Sequence, residues 1–146
     1  MRGEDLCALV EIRDYDEYLE LLNAVKPFTR YIAIIQIDGY DPEDQVVRAA
    51  DSIMETAGRY RTRNWPGTRT RQDRAQVHMY KSNREFFRWL EDGDAFFYNS
   101  QDEWGCDVVE KTDFGFDDIV FMDENQDVLM YTTTHEGVIC ILEDLI

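Results

Sequence analysis

The sequence has little cysteine and no long apolar run. Its three cysteines are an odd number without a CxxC pair, and two of them, Cys7 and Cys140, lie in apolar runs, which is typical of buried, reduced thiols. No apolar stretch approaches the roughly 20 residues that a membrane-spanning helix needs. The N-terminus has acidic residues where a signal peptide would have basic ones. We therefore expect a cytoplasmic protein that does not interact with membranes.

Motifs for catalysis, cofactors and metals are also missing. The chain has no GxGxxG fingerprint, no Walker loop and no nucleophile elbow. Residues 123–127 imitate the start of an EF-hand loop, but Val128 and Thr134 stand where that loop needs glycine and glutamate. His135 has no second histidine four residues later, so it does not begin a zinc signature. We expect no cofactor and no metal. The missing motifs favour a protein that is not an enzyme, but they do not exclude enzymatic activity.

Negative charge is in excess, and it is unevenly distributed. The net charge is −16, from 31 acidic and 15 basic residues. Residues 1–58 contain 5 basic and 13 acidic residues, and residues 75–146 contain 4 basic and 17 acidic residues. Residues 59–74, in contrast, contain 6 basic residues and 1 acidic residue. An acidic surface repels nucleic acid and attracts basic proteins. Only three of the basic residues are lysines, a bias that can also be a habit of the host proteome.

The C-terminal third predicts the centre of the fold. Residues 116–142 contain three runs rich in β-branched and aromatic residues, separated by two polar turns. This pattern is typical of a three-stranded antiparallel meander. Residues 31–37 are almost continuously apolar and predict a central strand that is buried on both faces. Further strands are predicted at residues 6–12, 75–80 and 95–98.

Three helices are predicted from apolar residues that recur at helical spacing. They cover residues 14–26, 41–58 and 82–93. Their predicted N-terminal caps are Asp14, Asp41 and Ser82. We expect a single α+β domain over residues 1–146, with three helices packed on one mostly antiparallel sheet of six or seven strands that ends in the meander.

The basic segment, residues 59–74, is the first candidate site. Its arginines alternate with other residues on both sides of the turn Trp65-Pro66-Gly67, so an extended segment would place alternate arginines on one face. They could pair with acids of this chain or of a second copy, remain solvated, or bind phosphate beside a stacking tryptophan. The candidate residues for anion binding or dimer contact are Arg59, Arg61, Arg63, Trp65, Arg69 and Arg71.

The acidic segment, residues 99–115, is the second candidate site. We interpret it as a long polar loop, and long loops are often functional. It contains two large aromatic residues among its acids, of which Phe114 can fold back into the core and Trp104 is the better candidate for a contact. The candidate partner-binding residues are Asp102, Glu103, Trp104, Asp107, Glu110 and Asp113.

These features lead to competing functional hypotheses. The first is a non-enzymatic acidic binding protein that neutralises a basic partner such as a nuclease toxin or a nucleic-acid enzyme, as immunity-protein-like or antirestriction-like inhibitors do. The alternative is a small-anion or nucleotide-binding protein, with or without enzymatic activity, organised around residues 59–74. A third is an acidic scaffold protein. The negative field argues against direct nucleic-acid binding, and a homodimer remains open.

Overall fold

A seven-stranded antiparallel sheet organises the chain. The computed structural model describes residues 7–37, 39–69 and 75–146, with the backbone alone at Arg69. The strands are Cys7–Val10 (β1), Tyr31–Gln36 (β2), Glu55–Thr62 (β3), Asn64–Trp65 (β4), Thr68–Arg69 (β5), Ala75–Lys81 (β6), Phe97–Gln101 (β7), Asp107–Lys111 (β8), Asp118–Met122 (β9), Val128–Thr133 (β10) and Val138–Leu142 (β11). The α-helices are Tyr15–Val25 (α1), Gln45–Ile53 (α2) and Arg84–Asp92 (α3), and two short 3-10 helices are Thr134–Glu136 and Glu143–Leu145.

The main sheet has the order β1-β11-β10-β9-β2-β6-β3, and every neighbouring pair is antiparallel. Two smaller sheets, β4-β5 and β7-β8, are each a two-stranded antiparallel ladder. Within the described residues this architecture confirms the predicted α+β class, with three α-helices and a sheet of seven strands.

Strand β2 explains the continuous apolar run. Its side chains alternate between the two faces of the sheet. Ile32 and Ile34 belong to the core that includes the buried faces of the three helices, whereas Ala33 and Ile35 belong to a second cluster on the opposite face. Both faces of this interior strand are therefore buried, as the sequence predicts for it.

The second face is covered by the turn inside the basic segment. Trp65 is only 7% exposed, and its indole Nε1 donates to Oδ2 of the fully buried Asp118 at 2.9 Å. Gly67 has φ +85°, and a Cβ added there would lie 2.6 Å from the Tyr131 ring and 2.7 Å from Thr133 Oγ1. The β4-β5 hairpin thus packs directly on strand β10, and glycine is what permits the close approach.

Four sequence predictions about helix and cysteine placement need correction. The second helix begins after Asp44, whose Oδ1 accepts from Val46 N, so Asp41 is not its cap. It ends at Ile53, and the following residues pair along β6 as strand β3, because sheet pairing outweighs a weak helical pattern. The third helix is capped by Asn83 instead of Ser82. Cys140 is buried, but Cys7 is exposed.

Trp65→Phe tests the attachment of this hairpin. Burial already raises the pKa of Asp118, although hydrogen bonds from Thr134 N and Trp65 oppose that rise. Phenylalanine keeps the ring packing but removes one of these donors, so we expect the free energy of unfolding to fall by about 1–3 kcal/mol. Urea denaturation followed by circular dichroism measures this, with the exposed Trp104→Phe as control. Equal stability of Trp65→Phe and wild type would contradict the expected role of the hydrogen bond.

Candidate functional site

The acidic segment forms a hairpin, so the prediction of a long loop is wrong. Strands β7 and β8 pair from Phe97 opposite Lys111 to Gln101 opposite Asp107. The intervening residues 102–106 make a tight turn. The pairing signal in the sequence is the pair of β-branched residues Val108 and Val109, which the surrounding acids obscure.

The hairpin is attached through Asn99, in the middle of β7, to residues that flank strands β1 and β11 of the main sheet. Its backbone N–H donates to Ile12 O at 2.7 Å, and its Oδ1 accepts from Ile12 N at 2.9 Å. Its Nδ2 donates to Gly137 O at 3.0 Å. Gly137 has φ +67°, and a Cβ there would lie 2.4 Å from Val109. The hairpin is therefore held at a defined position by polar and steric contacts.

The tip of the hairpin is fixed by Asp102. Its Oδ1 accepts from Trp104 N and Cys106 N, both at 2.9 Å, and Gly105 N donates to Asp102 O at 3.0 Å. Gly105 has φ +80°, a conformation that favours glycine. This turn presents the side chain of Trp104 to solvent, and the residue is 80% exposed. A large apolar ring on an ordered turn is a surface that a partner can cover without first ordering the loop.

Five of the six residues predicted to bind a partner lie on this hairpin. Asp102, Glu103, Asp107 and Glu110 are exposed around Trp104 and along the strands. Asp113 is exposed too, but it lies beyond the end of β8, at the rim of a separate cleft. Phe114 is buried and packs edge-on against Phe96 at 5.1 Å between ring centroids. Trp104 is thus the large aromatic side chain that the acidic segment exposes near these carboxylates.

The structure separates the residues of the basic segment. Arg59 lies on β3, forms an ion pair with Asp51 and contacts His78 Nδ1 at 3.0 Å. Arg61 and Arg63 are exposed. The anion-binding hypothesis requires the ring of Trp65 to stack on a ligand. Trp65 is buried, so its ring is not available for this contact. The side chain of Arg69 and all of Arg71 lie outside the described residues.

A buried polar chain begins at His78, which the sequence analysis does not select. His78 is fully buried, and its Nε2 lies 2.7 Å from Gln36 Oε1. Because the guanidinium group of Arg59 can only donate, Nδ1 accepts and Nε2 carries the hydrogen. Burial and the positive charge of Arg59 lower the pKa of His78, so the ring is neutral. Gln36 Nε2 in turn donates to Asp44 Oδ2 at 3.2 Å.

This chain ends at a pair of carboxyl groups. Asp117 is 8% exposed, and its Oδ2 is buried without a hydrogen-bond partner. Burial and the neighbouring Asp44 raise the pKa of Asp117 to about 9. Burial also acts to raise the pKa of Asp44, but hydrogen bonds from Asp117, Gln36 and the first turn of α2 outweigh it and lower this pKa. The two carboxyl groups therefore share one proton at neutral pH, which Asp117 carries.

The pair opens into a cleft of about 320 Å³ between residues 36–45 and 113–117. Asp41 and Asp113 also line it, as do the aromatic rings of Phe114 and Phe116. The sequence contains a trace of this site, because the acids Asp117 and Asp118 stand directly before the apolar run at residues 119–122. No local pattern could show that residues 39–45 fold against them.

The chain has no significant match to a family model, to a curated protein or to a solved structure. Within the described residues, no three histidine, cysteine or acidic side chains are grouped so that they could hold a metal ion. In the same part of the chain, every helix is too short or too polar to cross a membrane. The assignment of function therefore depends on the geometry of the hairpin and the cleft.

Gly137→Ala tests whether the hairpin depends on its contact with the main sheet. The variant combines a strained positive φ with a clash against Val109, whereas Gly105→Ala has the strain alone, since nothing lies near its Cβ. We expect Gly137→Ala to be less stable than Gly105→Ala by about 1–3 kcal/mol. Thermal unfolding of both variants measures this. Equal losses would show that the hairpin relaxes away from Gly137 without cost.

The Asp117 proton makes stability depend on pH. Its folded pKa of about 9 lies above the ordinary value of 3.8, so the folded chain retains a proton that the unfolded chain loses, and stability falls as pH rises towards 9. Asp117→Asn keeps a donor towards Asp44 and should flatten the fall in melting temperature between pH 7 and 8.5. The exposed Asp113→Asn should keep the wild-type slope. Identical slopes in all three proteins would contradict the shared proton.

Proposed function

We propose that this chain is a non-enzymatic acidic binding protein that neutralises a basic protein partner through the β7-β8 hairpin. The observation that carries this proposal is the 80% exposure of Trp104 on an ordered turn surrounded by carboxylates. Tryptophan is among the residues that most often dominate binding energy at interfaces. A rigid turn also lowers the entropic cost of ordering the contact.

The expected contribution of Trp104 is large enough to matter. Covering a tryptophan buries roughly 150–250 Å², which corresponds to about 4–6 kcal/mol at about 25 cal/mol per Å² before the entropic cost of association. The tip itself is attached by backbone and Asp102 hydrogen bonds, so a partner would meet a preformed surface. Trp104 would therefore act mainly on the rate of dissociation.

The carboxylates of the hairpin would act on association. Asp102, Glu103, Asp107 and Glu110 are exposed, and Lys111 is the basic residue of the two strands. In a chain of net charge −16, these groups extend the acidic field outwards on a projecting element. Such a field accelerates the encounter with a basic surface and is screened by salt over roughly 10 Å at about 0.1 M.

A nuclease toxin or another nucleic-acid enzyme is the kind of partner that fits this chemistry. Such proteins present basic surfaces that bind phosphate, and an acidic protein can occupy them in place of the nucleic acid. The proposed role is thus that of an immunity-protein-like or antirestriction-like inhibitor acting in the cytoplasm. The anion-binding alternative is less well supported, because Trp65 is buried and Arg59 is engaged with Asp51.

Binding kinetics test the proposal. A photo-reactive residue at the exposed position 101, beside the tip, captures the partner in cells that produce the protein. Surface binding then gives both rate constants. Changing Asp102, Glu103, Asp107 and Glu110 to their amides should slow association, by a factor that shrinks between 50 and 300 mM salt. Trp104→Ala should leave association nearly unchanged and speed dissociation by about tenfold or more.

A matched control separates the effect of the hairpin carboxylates from the effect of the total charge of the protein. The amide variant of Asp16, Glu20, Glu124 and Glu143 removes the same number of exposed acids from other elements. We expect it to slow association less than the hairpin variant does. If both variants slow association equally and Trp104→Ala has no effect on dissociation, the interface lies elsewhere and the proposal fails.

A further inference from the structure

The cleft beside Asp117 contains a buried acceptor that the protein does not satisfy. Asp117 is more than nine-tenths buried, and its Oδ2 has no hydrogen-bond partner. The same residue lines the cleft between residues 36–45 and 113–117. A buried acceptor without a donor is costly, so such a group usually indicates a missing partner. In the free protein the proton shared with Asp44 reduces this cost.

The position of Asp44 in the cleft is fixed by the surrounding structure. Its Oδ1 accepts from Val46 N at 2.9 Å and from Val47 N at 3.4 Å, at the start of α2. Its Oδ2 accepts from Gln36 Nε2, which His78 supports from the buried side. Two carboxyl groups from different segments therefore line the cleft, and Oδ2 of Asp117 still lacks a donor.

The lining of the cleft selects a cation. Asp41, Asp44, Asp113 and Asp117 all line it, and its described lining contains no lysine or arginine. Phe116 is 60% exposed at the cleft, and its ring already has the ammonium group of Lys111 at 4.4 Å from its centroid. The ring face thus attracts positive charge, as the π-system of an aromatic side chain does.

A guanidinium group fits this lining better than a metal ion does. The described carboxylates are not grouped as metal ligands. A guanidinium group is planar, donates in a fork that matches carboxylates, and stacks on aromatic rings. An ammonium group has the charge but lacks both the fork and the plane.

We propose that this cleft binds the guanidinium group of an arginine side chain that the basic partner inserts between Asp117, Asp44 and Phe116. The inference rests on the proposed function for the source of the arginine, whereas the recognition of the guanidinium group depends on the cleft alone. Binding places a positive charge against Asp117 and displaces its proton, so complex formation releases a proton at neutral pH.

The test uses the capped peptide acetyl-Gly-Arg-Gly-amide and the whole chain labelled with ¹⁵N. The arginine peptide should shift the amide signals of residues 44–45 and 113–117 in a saturable way. The same peptide with citrulline, which is nearly isosteric but uncharged, should shift them at least tenfold less at equal concentration. Calorimetry in two buffers of different ionisation enthalpy should show a proton release that approaches one per peptide at pH 7.5.

Two variants separate the effect of the carboxylate charges on binding from an effect on folding. Asp117→Asn should weaken the binding of the arginine peptide about tenfold and abolish the release of a proton on binding. The double variant Asp41→Asn and Asp113→Asn changes only exposed residues and should weaken binding while leaving the melting temperature unchanged. Equal shifts with arginine and citrulline peptides, or binding without proton release in the wild type, would overturn the proposal.

Further measurements distinguish a failure of this inference from a failure of the proposed function. The hairpin variants should bind the arginine peptide as the wild type does, even though they bind the protein partner more weakly. If the peptide binds but the captured partner is insensitive to Asp117→Asn, the partner does not insert an arginine and the inference fails while the hairpin proposal stands. If free L-arginine binds more tightly than the capped peptide, the cleft serves a small metabolite and the assignment to the partner is overturned.

Discussion

The burial of both faces of the central sheet is the constraint on which the rest of the structure depends. Strand β2 is apolar on both sides, so each face needs its own cover. Helices cover one face, and the β4-β5 hairpin covers part of the other through Trp65. The hydrogen bond from Trp65 to the buried Asp118 gives this second cover a polar attachment as well as an apolar one.

The alternation of side chains along a strand also determines where two consecutive acidic side chains lie. Asp117 and Asp118 stand where β9 begins, and period-2 geometry turns them to opposite faces. Asp118 meets Trp65 and the Thr134 N–H. Asp117 meets Asp44, which is itself an acid, so burial leaves it with a proton and an unsatisfied oxygen. A structural carboxylate and a candidate binding group thus arise from neighbouring residues.

The hairpin and the cleft divide the acidic surface into two kinds of site. On the hairpin the carboxylates are exposed and surround one apolar anchor, which suits steering and contact with a large partner. In the cleft they are partly buried and leave a single acceptor open, which suits one cationic group. Asp113 lies close to the end of the hairpin and at the rim of the cleft. The cleft therefore lies near the end of the hairpin that is opposite to Trp104.

The sequence by itself determined the α+β class, the number of α-helices and the doubly buried β2, because periodicity records how each segment faces a core. It also singled out Trp104 and its acidic neighbours. Only the tertiary structure decided that residues 55–62 are a strand, that Trp65 is buried, and that Asp44 meets Asp117. These outcomes depend on contacts between segments that are not adjacent in the chain, such as β3 with β6 and Trp65 with Asp118, and no local pattern specifies such contacts.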